Sequence, residues 1–323
     1  MINNLSKSKI VVVLGPTASG KSDLAVKLAK KFDGEIISAD SRQVYRGLDI
    51  GSGKVPRDKK IPKFYILNSK SYFYKDIPHY LLDVVSPKRT FSVSQYQKLA
   101  GKAVKKILKR GKTPIICGGT GFYIDALIYG YKLPEVPPNP KLRKELEKKS
   151  ADALFRQLKK LDPARAKNID KFNKRRLIRA LEIILTTKKP VPILSTFTRE
   201  SRQKNEGKYK TLIIGIKKPQ EELKKLIAKR LEKRLNQGML KEVKNLHNSG
   251  VSWKKLESFG LEYRWLARYS QDKIDYDEMV SLLQKDIEHY VKRQITWFKR
   301  NKDINWIENY EQAEKLANGF INK

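Results

Sequence analysis

Cysteine is nearly absent from this 323-residue chain: its one thiol, Cys117, has no partner for an internal disulfide. Histidine is scarce as well, at three residues, which excludes a Cys/His metal cluster. Acidic residues number only 34 against 70 basic ones. No apolar run approaches the roughly 20 residues that a bilayer span requires. The stretch Ile10–Leu14 is too short for the core of a signal peptide. Together these shortages lead us to expect a cytoplasmic protein with no membrane attachment.

What remains is globular in composition, with 40% hydrophobic and 9% aromatic residues. The length allows one large core and a smaller appended unit. The formal net charge is +36 and the pI about 10.0. Such a surface rewards a polyanionic partner, because neutralised phosphates release counterions. A merely solvated, lysine-rich surface is the plain alternative.

Along the chain, Lys9–Leu14 reads as a buried strand stopped by Gly15-Pro16, and Lys21–Phe32 as a helix with Leu24, Ala25, Leu28 and Phe32 on one face. Glu35–Ser38 predicts a second strand leading to Asp40, Ser94–Arg110 a helix, and Pro114–Cys117 a third strand ending in Gly118-Gly119-Thr120-Gly121. Strands alternating with helices imply a parallel α/β sheet that binds ligands at the carboxyl ends of its strands. Leu133–Pro140 holds four prolines and reads as a linker. Lys141–Lys189 is helical in composition and carries 17 Lys/Arg against 6 Asp/Glu, a surplus of 11. A loop at Thr198–Lys208 precedes an apolar strand at Thr211–Ile216, so the basic helical stretch is an insertion between sheet strands. From Pro219 the chain reads as helical to near its end.

Gly15-Pro16-Thr17-Ala18-Ser19-Gly20-Lys21-Ser22 matches G-x-x-x-x-G-K-[ST], with a strand before it and a helix after. Its glycines let the backbone amides turn inward onto anionic oxygens, and the helix N-terminus adds its positive end. Lys21 supplies a full charge, and the Ser22 hydroxyl is placed to hold Mg²⁺. A kinase would need an apolar strand ending in Asp as well. The nearest candidate is the short Leu81-Leu82-Asp83, after the turn-like Pro78-His79, which weakens that reading.

The phosphate loop together with Ser38-Ala39-Asp40-Ser41-Arg42-Gln43-Val44-Tyr45-Arg46-Gly47-Leu48-Asp49-Ile50 resembles the tRNA dimethylallyltransferase (isopentenyltransferase) family, bacterial type. Further blocks agree in order: Pro78–Asp83, Gly118–Tyr123, Arg176–Glu182 and Lys292–Phe298, so the likeness spans about residues 9–308. It implies a P-loop NTPase-like parallel α/β core with an all-helical insertion and a helical C-terminal region. The core would comprise residues 1–130 and 206–323, and the insertion, 131–205, would grip the anticodon stem-loop of tRNA. The implied reaction moves a dimethylallyl group from dimethylallyl diphosphate to the exocyclic 6-amino group of the adenosine 3′ of the anticodon. Magnesium is the implied cofactor, and no obligate protein partner is implied. Ser258–Arg264 stands where members usually have Ile-Gly-Tyr-Lys-Glu, and Ser52-Gly53-Lys54 where they have Thr-Ala-Lys; both are local departures.

The resemblance also assigns roles. Gly15, Pro16, Thr17, Ala18, Ser19, Gly20, Lys21 and Ser22 would bind the diphosphate, with Ser22 as the metal ligand. Arg230 would reach the leaving group, its plain alternative being a solvated basic face. Asp40 would accept a hydrogen bond and a proton from the adenine amine, which delocalisation makes a poor nucleophile. A helix N-cap, or a carboxylate that bonds the metal's ligands rather than the metal, are the alternatives for Asp40. Thr17 lines the donor side and Thr120 the nucleotide side, unless Thr120 merely closes a tight turn. Ser41, Arg42 and Gln43 would contact the extruded base and its neighbours. Arg175, Arg176 and Arg179 would touch phosphates, with a solvated helix as the alternative. Trp297 and Phe298 read as packed core. Two rivals remain: a small-molecule enzyme with the same loop, and a nucleotide-gated RNA-binding protein.

Overall fold

The computed structural model describes residues 8–59, 72–192 and 209–322. The chain divides into two compact units, residues 1–130 with 205–323 and residues 131–204. Among the described residues no helix is long and apolar enough to cross a membrane. The loop expected at Thr198–Lys208 lies outside the described residues.

The larger unit is built on a seven-stranded sheet. Its strands are β1 (Lys9–Leu14), β2 (Gly34–Ser38), β3 (Tyr72–Tyr74), β4 (Ile77–Tyr80), β5 (Thr113–Gly118), β6 (Lys210–Ile216) and β7 (Ile304–Ile307). They lie in the order β3-β4-β2-β5-β1-β6-β7, and every neighbouring pair is parallel except β3 with β4. In β1, Ile10, Val12 and Leu14 enter the core on one side of the sheet, and Val11 and Val13 the core on the other. Burial on both faces is why the parallel strands read as continuous apolar runs.

One face is covered by α1 (Lys21–Lys31) and α13 (Tyr310–Ile321), the other by α2 (Val93–Leu108) and α3 (Gly121–Ile128). Helix α2 starts at Ser92, whose hydroxyl accepts from the Gln95 amide while the Gln95 side chain accepts from the Ser92 N–H. A further core gathers α8 (Gln220–Asn236), α9 (Met239–Asn248), α10 (Trp253–Phe259), α11 (Leu261–Tyr269) and α12 (Tyr276–Lys299) around Val44, Tyr45 and Leu48. The loop after β2 is therefore held by the helical region, at the strand ends where a parallel sheet collects ligands.

Two expectations are corrected here. Pro78-His79 is not a turn: it lies in β4, paired with β2 as Ile36↔His79 and Ile37↔Tyr80. The turn is Lys75-Asp76, both with positive φ (52° and 65°). Two consecutive residues of that kind make the tight hairpin that joins antiparallel strands. The Asp58 carboxylate steadies it by accepting from both amides, at 3.1 and 2.9 Å. The C-terminal stretch is also not helical throughout. Ile304–Ile307 pairs with β6, its outer residues Ile304 and Ile307 buried and Asn305 and Trp306 exposed.

The smaller unit packs α4 (Pro140–Glu147), α5 (Ala151–Leu161), α6 (Pro163–Lys167) and α7 (Lys174–Thr187) around Leu154, Leu158, Leu177 and Leu181. Each helix has a side-chain cap, from Asn139, Ser150, Asp162 and Asn173. Glu182 of α7 is wholly buried and accepts from Arg143, Arg179 and the Asn139 amide. Burial opposes its charge, but these donors prevail and hold the carboxyl at about 2.

Candidate active site

The turn between β1 and α1 curls through two left-handed residues, Ala18 (φ 65°) and Gly20 (φ 85°). At Gly15 a Cβ would lie 2.7 Å from the Ser19 hydroxyl, so any larger residue there would displace that side chain. That hydroxyl is buried and has no hydrogen-bond partner among the described residues. Lys21 opens α1 and folds back so that Nζ donates to the Pro16 carbonyl at 3.2 Å. Desolvation, and then repulsion from Arg230, lowers its pKa to about 8. The buried Cys117 thiol donates to the Lys21 carbonyl at 3.5 Å, and burial pushes it up to about 11.

Asp40 lies two residues beyond the end of β2. Its Oδ1 accepts from the Arg42 and Gln43 amides at 2.8 and 3.3 Å, so the carboxylate organises its own loop. The ends of β2 and β5 interlock here. Ala39 N–H donates to the Cys117 carbonyl, Thr120 N–H to the Ala39 carbonyl, and Ser41 N–H to the Thr120 hydroxyl at 3.1 Å. Gly118 is obligatory, because a Cβ would sit 2.2 Å from the Ala39 oxygen.

The neighbours of Asp40 are largely engaged within the protein. Arg42 donates through Nε to the Phe259 carbonyl at 2.6 Å and lies over the Phe259 ring. Gln43 accepts from the Ser38 hydroxyl and donates to the Ser52 and Gly53 carbonyls.

Helix α8 brings Arg230 and Arg234, one turn apart, behind the loop at Gly51–Gly53. A Cβ on Gly53 would meet Arg234 Nη2 at 1.7 Å and Arg230 Nη2 at 2.1 Å. Arg234 pairs with the buried Glu262 at 3.0 Å, while its Nη2 is buried and has no partner among the described residues. Desolvation, followed by Arg234, lowers the Arg230 pKa to about 10. Lys21, Arg230, Arg234 and Asp40 thus feel one another's charge. The three cations outnumber the nearby carboxylates, Asp40 and the Glu262 paired with Arg234, which suits a reaction that builds negative charge on a polyphosphate. Asp83, at the end of Leu81-Leu82-Asp83, is paired with the buried Lys54 ammonium. The strands on either side of β1 are β5, which ends in Cys117-Gly118, and β6, which ends in Gly215-Ile216.

The IPP transferase sequence pattern matches residues 43–301, and the isopentenyl transferase pattern residues 8–69. The chain belongs to the IPP transferase family. It is 36% identical to a tRNA dimethylallyltransferase of Halothermothrix orenii, over 97% of this chain and 94% of that one. The fold matches a tRNA delta(2)-isopentenylpyrophosphate transferase from Staphylococcus epidermidis with a TM-score of 0.66 at 35% identity, covering 98% and 99% of the two chains. It also matches a eukaryotic dimethylallyltransferase acting on tRNA, with a TM-score of 0.74 at 25% identity over 98% and 80%. A P-loop-like, mostly parallel α/β core is therefore shared across the family.

In this IPP transferase, α12 contributes contacts that motif reading does not single out. Gln294 bridges Thr17 and Gly119, and Trp297 packs against Gly121. Glu242 of α9 accepts from the amides of Asp49, Ile50 and Gly51 and from the Tyr263 hydroxyl. Glu262 and Gln294 fall inside the blocks Ser258–Arg264 and Lys292–Phe298, which is the only sequence signal for them. Trp297 also donates to Asp125, and Phe298 is buried. In the smaller unit Arg175 and Arg176 are exposed, whereas Arg179 is half-buried and donates to Glu182 and the Val136 carbonyl.

Proposed function

We propose that this chain transfers a dimethylallyl group from dimethylallyl diphosphate to the exocyclic 6-amino group of the adenosine 3′ of the anticodon in tRNA, releasing diphosphate. The observation that carries the reading is Asp40, a carboxylate just beyond the end of β2 within the field of Lys21 and Arg230. A phosphate loop alone would suit any polyphosphate; a base beside it suits attack by a weak amine on the donor's first carbon. The N–C bond forms as the C–O bond to diphosphate breaks, and the ammonium proton passes to the carboxylate. Oδ1 carries both loop hydrogen bonds, so Oδ2 is the oxygen assigned to the amine.

Lys21, Arg230 and the loop amides would receive the departing diphosphate, and Thr17 would line the donor side. The oxygen donors present suit magnesium. Among the described residues no three His, Cys, Asp or Glu side chains cluster. The loop offers hydroxyl oxygens, of which Ser22 would be the ligand, and magnesium favours few protein ligands alongside phosphate oxygens and water. Bound there, the ion would neutralise charge on the diphosphate. Ser41 and Thr120 would face the nucleotide, while Arg42 and Gln43 shape its pocket through their internal bonds. Arg175 and Arg176 would contact tRNA phosphates, with Arg179 ordering their helix.

The deciding experiment incubates the protein with Mg²⁺ and labelled dimethylallyl diphosphate, offering unmodified tRNA in one tube and AMP in another. Label in tRNA alone is the expected result. Label in AMP would make the chain a nucleotide-using enzyme, and label in neither would refute prenyl transfer.

A further inference from the structure

The buried row of α12 runs Met279, Leu283, Ile287, Val291, Gln294, Phe298, with one polar member. Gln294 is 5% exposed, and both ends of its amide are used. Oε1 accepts from the Thr17 N–H at 2.9 Å and lies 3.4 Å from the Thr17 hydroxyl. Nε2 donates to the Gly119 carbonyl at 2.9 Å. Gly119 leaves room for this: a Cβ there would stand 2.3 Å from Nε2. One turn along the same helix Trp297 covers Gly121, so α12 packs against the residues after β5 at two points.

The two partners of Gln294 belong to different halves of the site. Thr17 lies in the phosphate loop. Gly119 precedes Thr120, whose hydroxyl holds the Ser41 amide next to Asp40. One amide therefore fixes the spacing between the cradle for the leaving group and the loop that carries the base. Each half also has anchors of its own, Lys21 on Pro16 in the first and the Asp40 turn in the second.

We propose that Gln294 is a positioning residue that sets the register between the donor loop and the acceptor loop, so that its loss falls on turnover rather than on binding of either substrate. This rests on the prenyl-transfer reading above. A shift of about 1 Å between reacting groups costs on the order of 10²-fold in rate, even when each substrate still binds.

The test compares Gln294→Glu and Gln294→Met with the parent chain, using dimethylallyl diphosphate and unmodified tRNA from pH about 5.5 to about 8.5. Glutamate has the shape of glutamine. Ionised, it sets an acceptor against the Gly119 carbonyl; protonated, it can donate there again and still accept from Thr17. Methionine keeps the bulk and loses both bonds. At the alkaline end both variants should lose on the order of 10²-fold in kcat, with both KM values within about twofold of the parent's. The Glu-to-parent ratio should climb as pH falls, while the Met-to-parent ratio stays level. Lys21, Asp40, Arg230 and Tyr290 are common to all three proteins, so the ratio cancels their titration. A level Glu ratio, or a loss confined to KM for one substrate, overturns the proposal. If the Met variant melts at the assay temperature, the Glu ratio decides alone. No product from the parent sinks the transferase reading and the proposal with it, whereas an active parent with a level ratio sinks the proposal only.

Discussion

Lys21 and Asp40 carry opposite ends of the proposed chemistry, and each makes a prediction at its own scale. Lysine ordinarily holds its proton to about 10.5, but Lys21 releases it near pH 8 because its site is desolvated and faces Arg230. The donor-free enzyme should therefore lose affinity for dimethylallyl diphosphate as pH rises above about 8, which a titration of donor KM against pH would read; a flat profile to pH about 10 would contradict the assignment. The sign for stability is the reverse. Between the folded and unfolded pKa values the unfolded chain binds more protons, so the donor-free protein gains stability from Lys21 as pH climbs through that window. Asp40→Asn should lower turnover by about 10²–10⁴-fold and leave donor binding unchanged, as measured by single turnover and by calorimetry. Unchanged turnover would remove Asp40 as the base. Both residues are legible in the sequence because each belongs to a contiguous motif. The contacts of Arg234, Glu262 and Gln294 are not, because their partners lie far off in the chain; the one amide of Gln294 joins residues 277 and 175 positions away.

Among the elements, α7 offers the sharpest experiment. Glu182 gathers two arginines and the α4 cap into the core of the smaller unit. Glu182→Ala should cost about 3 kcal/mol of that unit's stability. Hydrogen exchange would show lost protection across residues 140–187. The donor KM should hold while the KM for tRNA rises; a rise in both would mean the units do not divide the substrates. The pH dependence follows from a lowered carboxyl. Its contribution is complete above pH about 4.5 and disappears as pH falls toward about 2. The elements also mark where sequence patterning fails. Strands β1, β2, β5 and β6 are buried on both faces and advertise themselves as apolar runs. The β3–β4 hairpin has three and four residues, places Pro78 within a strand and turns on Lys-Asp rather than glycine, so no pattern announces it. Strand β7 is four residues long and follows a 24-residue helix whose periodicity dominates the reading.

For the whole molecule, the surplus of 36 positive charges dictates how salt should act. The KM for tRNA should rise steeply with ionic strength, while that for the small donor changes little. Reversing Arg175 and Arg176 together to glutamate should raise the tRNA KM and flatten its salt slope by about two contacts. An unchanged slope would move the RNA grip elsewhere on the surface. Sheet order carries a different consequence, for biosynthesis. Strand β1 lies between β5 and β6, and its β6 register joins Lys9 to Lys210 and Leu14 to Gly215. While the chain is being translated, one edge of β1 stays unpaired until some two hundred further residues have left the ribosome. An apolar open edge invites pairing with another nascent chain. A fragment ending at Gly130 should accordingly aggregate when expressed alone, and adding residues 205–323 in trans should keep it in solution.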